Sequence, residues 1–426
     1  MGRPRVVIVG AGFGGLACAR KLAGKPVEVA VIDRNNYHLF TPLLYQVASS
    51  LLNPSDIAQP VRAIFRGKRN VRFVRGEVLG VDFERRTVRL EGGAEEPYDR
   101  LVLAVGSTTN FFGVSGAEEG ALGLKDLGEA LELRNHVLGV LERATQAQDA
   151  GERERLLTFV VVGGGPTGVE YAGALSELLK LVVPREYPEL EGVSWRIVLV
   201  EGLPRLLNAF PEKLSEEARR ELVKKGVEVR LGTRVTAAAE EHVQLDGAEP
   251  IGAGTLVWAA GVRPSGLAGT LDVGRSRSGR IEVDAALRVR RRDGVYAIGD
   301  VASFVQDERE VPMLSAPAMQ QGRHAAANIL RELAGERARR FRYRDKGSMA
   351  TIGRNDAVAQ VGRLQLTGFP GWVAWLVVHL YYLIGFRNRL VVLMGWAWNY
   401  VRLDRPVRII ARAGEGGGTR EKARGP

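Results

Sequence analysis

The sequence predicts an α/β fold with two Rossmann-like dinucleotide-binding domains, the first split in sequence. Three observations predict it. A Gly-rich loop closes an apolar strand at Val6-Val7-Ile8-Val9-Gly10-Ala11-Gly12-Phe13-Gly14-Gly15. A second does so at Phe159-Val160-Val161-Val162-Gly163-Gly164-Gly165-Pro166-Thr167-Gly168. Each loop leads into helix-forming sequence and then a strand ending in an acid, Asp33 or Glu201, which makes a βαβ unit. One such loop binds one dinucleotide. Two can hold a flavin and a nicotinamide ring against each other, an arrangement that passes hydride.

The first unit runs as strand, Gly loop, helix over 16–22, and strand over 27–32 ending at Asp33. An irregular, partly apolar stretch follows over 34–44. Short alternating strands are expected at 71–74 and 87–90. Residues 101–106 read as a buried strand ending in a Gly turn. Residues 117–151 are largely helical and polar, and the chain crosses between domains there. The second βαβ unit begins at Leu156 and reaches 196–201. Residues 256–261 repeat the pattern of 101–106, so the two halves follow one plan. Residues 295–300 are a further buried strand and 316–333 a helix. This order puts the first domain at 1–115 and 265–335, around a second at 116–264, with a C-terminal region over 336–412. Within that region 341–362 suggests strands with turns. Residues 413–426 are Gly-rich and charged, and a disordered tail is expected.

In each loop the first Gly makes a tight turn, the second lets the backbone approach a pyrophosphate, and the third lets helix and strand pack closely. Gly10, Gly12 and Gly15 take these places in the first loop, with Phe13 and Gly14 among them; Gly163, Gly165 and Gly168 take them in the second. Pro166 suits a first helical turn, where no N–H is needed. Free N–H groups and the helix dipole hold phosphate charge. Asp33, with Arg34 beside it, would take a ribose hydroxyl. Glu201 would do the same in the second unit. A carboxylate there repels a 2′-phosphate, so NADH is preferred over NADPH, with Arg205 acting against that preference. Glu201 lies further from its loop than the roughly 20 residues usual for the motif, because 181–195 looks inserted.

Gly106 and Gly261 close the two matching strands and join the cofactor set. Gly299 and Asp300 end the strand at 295–300. Asp300 can bond a flavin ribityl or phosphate-side hydroxyl, or serve as a turn residue. Glu170 has two readings: an acid favoured at a helix N-terminus, or a catalytic group beside the flavin ring.

The chain has 426 residues, 45% of them hydrophobic and 26% charged, which allows two or three folded domains. Its net charge of +11 suits an anionic membrane surface or nucleic acid. No nucleic-acid motif accompanies it, so no nucleic-acid partner is expected. The single cysteine, Cys18, excludes an intrachain disulfide and a CxxC pair and reads as a buried structural thiol. Five scattered His and no Cys cluster give no metal site. The chain enters a strand almost at once, which leaves no room for a signal peptide.

Residues 372–401 are apolar and aromatic and hold four of the six tryptophans: Trp372, Trp375, Trp396 and Trp398. Gly385-Phe386-Arg387-Asn388-Arg389 breaks the run. Neither piece reaches the roughly 20 residues needed to span a bilayer. Aromatics with flanking Arg suit the membrane interface; a core or dimer-interface helix pair is the other reading. His379 is expected to be simply packed.

Four segments resemble type II NADH dehydrogenase, the single-chain NADH:quinone oxidoreductase. They are Asp33-Arg34-Asn35-Asn36-Tyr37-His38-Leu39-Phe40-Thr41-Pro42-Leu43-Leu44-Tyr45-Gln46-Val47-Ala48, Gly163-Gly164-Gly165-Pro166-Thr167-Gly168-Val169-Glu170, Ala297-Ile298-Gly299-Asp300-Val301-Ala302 and Lys346-Gly347-Ser348-Met349-Ala350-Thr351-Ile352-Gly353-Arg354. The likeness runs to about Arg405. It implies FAD on the first loop, NADH on the second, and a membrane quinone on the other side of the flavin. Hydride would pass from NADH to FAD and two electrons to the quinone, without proton pumping. It also implies a membrane-associating C-terminal region and a peripheral, monotopic protein on the cytoplasmic face of the cell membrane; a homodimer is left open.

The family's quinone motif has two Gln four apart before a Gly. Here Ser315-Ala316-Pro317-Ala318-Met319-Gln320-Gln321-Gly322 keeps the second as Gln320 and has Ala316 for the first. Gln320, Gln321 and Lys346 are the quinone-binding candidates. Sulfide:quinone reductase shares the architecture but needs reactive cysteines, for which Cys18 is misplaced. A soluble NAD(P)H-dependent flavoprotein reductase of a carrier protein would not need the aromatic C-terminus. A non-enzymatic flavin redox sensor would not turn over quinone.

Overall fold

The chain order in the computed structural model, which describes residues 2–239, 241–402 and 405–410, repeats one plan twice. The first unit comprises β1 (Arg5–Val9), α1 (Phe13–Leu22), β2 (Glu28–Asp33), α2 (Leu44–Ala48), β3 (Val71–Arg75) and β4 (Arg100–Leu103). The second comprises β5 (Leu122–Gly123), α3 (Leu127–Gln146), β6 (Thr158–Val162), α4 (Pro166–Glu186), β7 (Arg196–Glu201), α5 (Glu212–Lys224), β8 (Val227–Leu231) and β9 (Thr255–Trp258). Then follow β10 (Val295–Ala297) and α6 (Ser315–Leu333). The C-terminal part has β11 (Ser348–Gly353), β12 (Asp356–Val361), β13 (Leu364–Thr367), α7 (Gly368–Tyr382) and α8 (Phe386–Arg402).

Both large sheets are parallel and covered on their faces, so their strands read as continuous apolar runs rather than alternating ones. Val6, Val7, Ile8 and Val9 are all buried, as are Phe159, Val160, Val161 and Val162. The first sheet has the order β10-β4-β1-β2-β3. The second has the order β5-β9-β6-β7-β8. The shared core, β4-β1-β2-β3 against β9-β6-β7-β8, is the repeat that the sequence pattern predicts. The edge strand differs. In the first sheet it is β10, which the chain supplies only after completing the second sheet.

Three expectations need adjustment. The apparent insertion at 181–195 is mostly helix: α4 continues to Glu186, and a 3-10 turn covers Pro188–Leu190. Residues 341–347 form no strand. They are held by side chains instead, Gln306 accepting the Tyr343 N–H at 2.8 Å and Gln320 accepting the Arg344 N–H at 3.1 Å. Residues 372–401 are not wholly core: one face is buried and the other exposed. Trp375, Leu383 and Val392 are buried, while Val377, Tyr381, Phe386, Leu390, Met394, Trp398 and Val401 are exposed. The exposed residues recur every three or four positions, which places them on one side of each helix. Among the described residues no helix is long and apolar enough to cross a membrane. The tail expected to be disordered lies outside the described residues.

Candidate active site

The two Gly loops are built alike. Gly10 and Gly163 have φ of +104° and +111°, and a Cβ there would stand 2.3 Å from the Ala104 oxygen and 2.5 Å from the Ala259 oxygen. Both the turn and the neighbouring strand demand glycine. Gly15 and Gly168 allow the helix to touch its own loop, since a Cβ on either would stand 1.8 Å from the Gly10 or Gly163 oxygen. Gly12 and Gly165 differ, for a Cβ there would meet nothing within 4 Å. The space over each helix N-terminus is open, and no side chain caps it. A cradle of free N–H groups with room above it fits a pyrophosphate.

The paired acids brace these loops. Asp33 accepts the Ala11 N–H at 2.7 Å and the Asn35 N–H at 2.8 Å. Glu201 accepts the Gly164 N–H at 2.6 Å and the Leu203 N–H at 2.7 Å. A carboxylate has about four lone-pair sites, so each acid keeps acceptors for a ribose diol. Burial raises the Asp33 carboxyl against its two backbone donors. Arg34 is exposed and Phe13 half-buried. Arg205 is turned onto Asn208, with contacts of 3.2 Å. Among the described residues no Arg or Lys pairs with Glu201. Glu201→Gln is therefore expected to raise the NADPH-to-NADH ratio of kcat/KM by roughly tenfold. Initial rates with both nucleotides check this, and an unchanged ratio refutes it.

Gly106 (φ +68°) and Gly261 (φ +158°) lead into two short strands, Ser107–Thr109 and Val262–Pro264, which pair antiparallel. The two crossings between units are thus hydrogen-bonded to each other. Asp300 lies beside this ribbon. It lies in the 3-10 turn Gly299–Val301, accepts the Ser107 hydroxyl at 2.5 Å and has the Lys125 ammonium at 3.7 Å. The sequence reading missed Lys125, whose place depends entirely on the crossing. Gly299 (φ +74°) donates its N–H to Gln321 at 2.6 Å.

Gln321 is therefore turned inward onto the Gly299 turn. Gly322 lets α6 lie on α1, for a Cβ there would stand 2.2 Å from the Gly14 oxygen. Gln320 holds the backbone of Arg344. Lys346 is exposed and donates to the Tyr382 hydroxyl at 3.2 Å.

None of Gln320, Gln321 and Lys346 lines the cavity that Glu170 borders. That cavity encloses about 70 Å³ between α2, α4, β11, α7 and α8, with Tyr45, Gln46, Glu170, Trp375 and Trp396 in its wall. Gly173 makes this packing possible, as a Cβ would stand 2.1 Å from the Ile352 oxygen. Thr351 is thereby brought over Glu170 and donates its N–H at 3.3 Å. Glu170 sits at the fifth residue of α4, past the first turn, and is buried with the Trp375 indole beside it. Burial pushes its carboxyl up to about 8. Its place past the first turn departs from the reading as an acid at a helix N-terminus.

A fixed polar chain runs along one wall. The Trp396 indole donates to Gln46 at 2.8 Å, and the Gln46 amide donates to the Tyr45 hydroxyl at 2.8 Å. An aromatic line joins the cavity to the first Gly loop. Phe13 meets Phe40 at 5.9 Å, Phe40 meets His379 at 6.3 Å, and His379 stacks on Trp375 at 4.0 Å. His379 is packed as expected, and burial lowers it to about 4. His38, which bonds the Ala11 oxygen at 2.9 Å beside the same loop, is likewise held neutral.

A larger open hollow, about 510 Å³, is lined by Arg100, Arg288, Asp293 and Glu332. It lies at the other end of the β4 strand from the Gly loops, and its charged wall is unsuited to an apolar ring. Cys18 is buried, and burial pushes its thiol up to about 12. It is no reactive sulfur.

The pyridine nucleotide-disulphide oxidoreductase family matches residues 4–322, and the NDH2 C-terminal domain matches 346–402. The chain is 40% identical to the type II NADH:quinone oxidoreductase NdhA of Mycobacterium tuberculosis, over 94% of this chain and 88% of the relative. It is 32% identical to the type II NADH:quinone oxidoreductase of Staphylococcus aureus, over 84% of this chain and 90% of the relative. Its fold is that of NDH2 from Plasmodium falciparum, solved with NADH, at a TM-score of 0.87 and 20% identity over 96% of this chain and 100% of that one. Sulfide:quinone oxidoreductase from Aquifex aeolicus is a more distant match in fold, at a TM-score of 0.72 and 18% identity over 95% and 96%. Paired nucleotide loops, a C-terminal helix pair over a buried acid, and these likenesses along nearly the whole length lead to one conclusion: the chain belongs to the type II NADH:quinone oxidoreductase family.

Proposed function

We infer that this chain oxidises NADH through FAD and reduces a quinone in the cavity beside Glu170. The observation that carries the reading is the aromatic line from the first Gly loop to a cavity holding a protonated acid. When bound, FAD supplies hydride acceptance from NADH and delivery of two electrons to the quinone. The open N-terminus of α1, with Asp33, would hold FAD, helped by Asp300 and Ser107. The open N-terminus of α4, with Glu201, would hold NADH. On this reading 1–115 and 265–335 form the FAD domain, 116–264 the NADH domain and 336–412 the membrane-associating region.

The overall reaction, NADH + H⁺ + quinone to NAD⁺ + quinol, takes up one proton. On this reading Glu170 gives it from its carboxyl oxygen and is reprotonated afterwards. Trp375 and Trp396 exclude water, and Gln46 and Tyr45 hold the wall in register.

Anaerobic NADH titration followed by a soluble short-chain quinone tests the reading. Bleaching of flavin absorbance by NADH and its return with quinone are expected. Bleaching without return, or return only with a ferredoxin-type acceptor, would favour a carrier-protein reductase or a sensor.

The exposed face of α7 and α8 supports a peripheral contact with an anionic membrane. Aromatic and aliphatic burial acts with the basic net charge. NADH is a cytoplasmic substrate, which points to the cytoplasmic face. Salt screens only the second term, because the Debye length is about 8 Å at physiological ionic strength. High salt should release the protein from anionic vesicles in part. Val377→Ser, Tyr381→Ser, Met394→Ser and Trp398→Ser together should release it fully in a flotation assay while FAD is retained. A combined variant that still floats would refute the contact; loss of a dimer instead would assign the face to a second copy of the chain.

A further inference from the structure

The cavity beside Glu170 is narrow and partly open. Its volume of about 70 Å³ is below the roughly 150 Å³ of an enclosed protein cavity that takes up benzene. The fit of a ring there depends on where the walls stand. The walls on α2, α4, β11 and α7 are built into the buried core through Val47, Val169, Ile352 and Trp375. The wall on α8, carrying Trp396, has no other part of the protein on its far side, where Met394, Trp398 and Val401 are exposed. Its position depends on how α8 is held.

Besides the Trp396–Gln46 bond and the Arg354 side chain on the Asn399 oxygen at 3.2 Å, α8 is held at both ends. Near its start, Asn388 donates to the Ser55 oxygen at 3.3 Å, and Arg389 donates to the Leu383 oxygen at 2.7 Å. Beyond its end the chain turns back into the protein at Arg405, whose side chain is buried. The guanidinium reaches the Ser49 oxygen at 3.5 Å and the Ser49 hydroxyl at 3.4 Å, just past α2. Its other nitrogen reaches the Ala174 oxygen at 3.4 Å and the Glu177 carboxylate at 3.0 Å, on α4. Val407 donates its N–H to the Ser50 oxygen at 3.3 Å, and Arg408 pairs with Glu186 at 2.9 Å. One planar fork thus ties the chain leaving α8 to both helices that carry cavity residues.

We propose that Arg405 is a positioning residue for the quinone. Its guanidinium fixes the end of α8 against α2 and α4, and so sets how far the Trp396 wall opens and whether it returns onto the ring. This inference rests on the proposed quinone cavity. Loss of Arg405 does not strand its acid, because Glu177 also accepts from Lys225 at 3.2 Å and from the Arg354 N–H at 2.5 Å. Removing it is therefore milder than breaking an isolated buried pair.

Arg405→Met and Arg405→Lys in the full FAD-loaded chain test this. The readouts are KM for a short-chain ubiquinone analogue, KM for NADH, and the rate with ferricyanide, which takes electrons without entering the cavity. Quinone KM is expected to rise about tenfold in the Met variant and less in the Lys variant, with the ferricyanide rate and NADH KM as in wild type. Unchanged quinone KM in both variants overturns the proposal. So does an equal fall in the quinone and ferricyanide rates, which marks a merely structural role. If the Met variant fails to retain FAD, the Lys variant decides by the same criteria. Gln46→Ala separates the two levels of the argument. A raised quinone KM there with none in the Arg405 variants overturns the positioning role alone; no effect in any of the three overturns the cavity reading.

Discussion

Gly12→Val is expected to give a folded, colourless protein. Gly12 has φ −67° and ψ −168°, an extended conformation open to any residue. A Cβ there would touch no protein atom within 4 Å. The fold itself therefore has no objection to a side chain at this position. The objection comes from a pyrophosphate lying against the N-terminus of α1, whose place the valine would fill. Visible flavin absorbance should vanish while circular dichroism and a cooperative melt remain. Gly15→Val is the contrast. Its Cβ would stand 1.8 Å from the Gly10 oxygen, so the strand–helix junction itself fails and no folded protein is expected. A folded Gly12→Val protein with full FAD would overturn the assignment of the first loop.

Glu170→Gln should abolish most quinone turnover and flatten a pH profile. The folded carboxyl titrates at about 8 and an unfolded one near 4.5, so the fold holds a proton that the unfolded chain releases. Stability from this group is complete below 4.5 and is lost as pH rises through 8. A shift of this size corresponds to a few kcal/mol, to order of magnitude. In the ligand-free protein the melting temperature should fall from pH 5 to about 8 in wild type, and less in Glu170→Gln. The quinone rate should fall above pH 8 in wild type, as the proton is lost. The Gln variant, with no acid to give one, should be slower by roughly a hundredfold near neutrality. The ferricyanide rate is the reference in both proteins. A wild-type quinone rate that stays level well above pH 8, or a Gln variant as fast as wild type, would remove Glu170 from proton transfer.

The parts legible in the sequence are those fixed by local constraint. A tight turn, a strand–helix contact and an open cradle each need glycine at a set spacing, and the loops show all three. Parallel strands buried on both faces announce themselves as valine and isoleucine runs. The cavity was not legible in this way. Glu170 owes its raised pKa to burial, against the opposing hydrogen bond from Thr351, 181 residues away, and the Trp375 indole. Tyr45 and Gln46 lie within a segment marked by resemblance, yet nothing local says that Gln46 meets Trp396 across 350 residues. Gln321 looks available in the sequence, and only the Gly299 turn shows where its oxygen goes. Long basic side chains are the least legible, since Lys125 and Arg405 take their meaning wholly from distant partners.

The split first sheet has a consequence for how the protein is made. β4 gains its outer neighbour only when Val295, Tyr296 and Ala297 pair with Leu101, Val102 and Leu103. Every strand of the second sheet has left the ribosome by then, since β9 ends at Trp258. The unit begun first is thus finished last, and its edge stays open during synthesis, with pairing delayed by a long loop closure. Gly299, Asp300 and α6 arrive later still. On the proposed FAD assignment, the site around the first loop is complete only once about three-quarters of the chain has been made, so cofactor capture would belong to the end of translation, after the second sheet has had time to form.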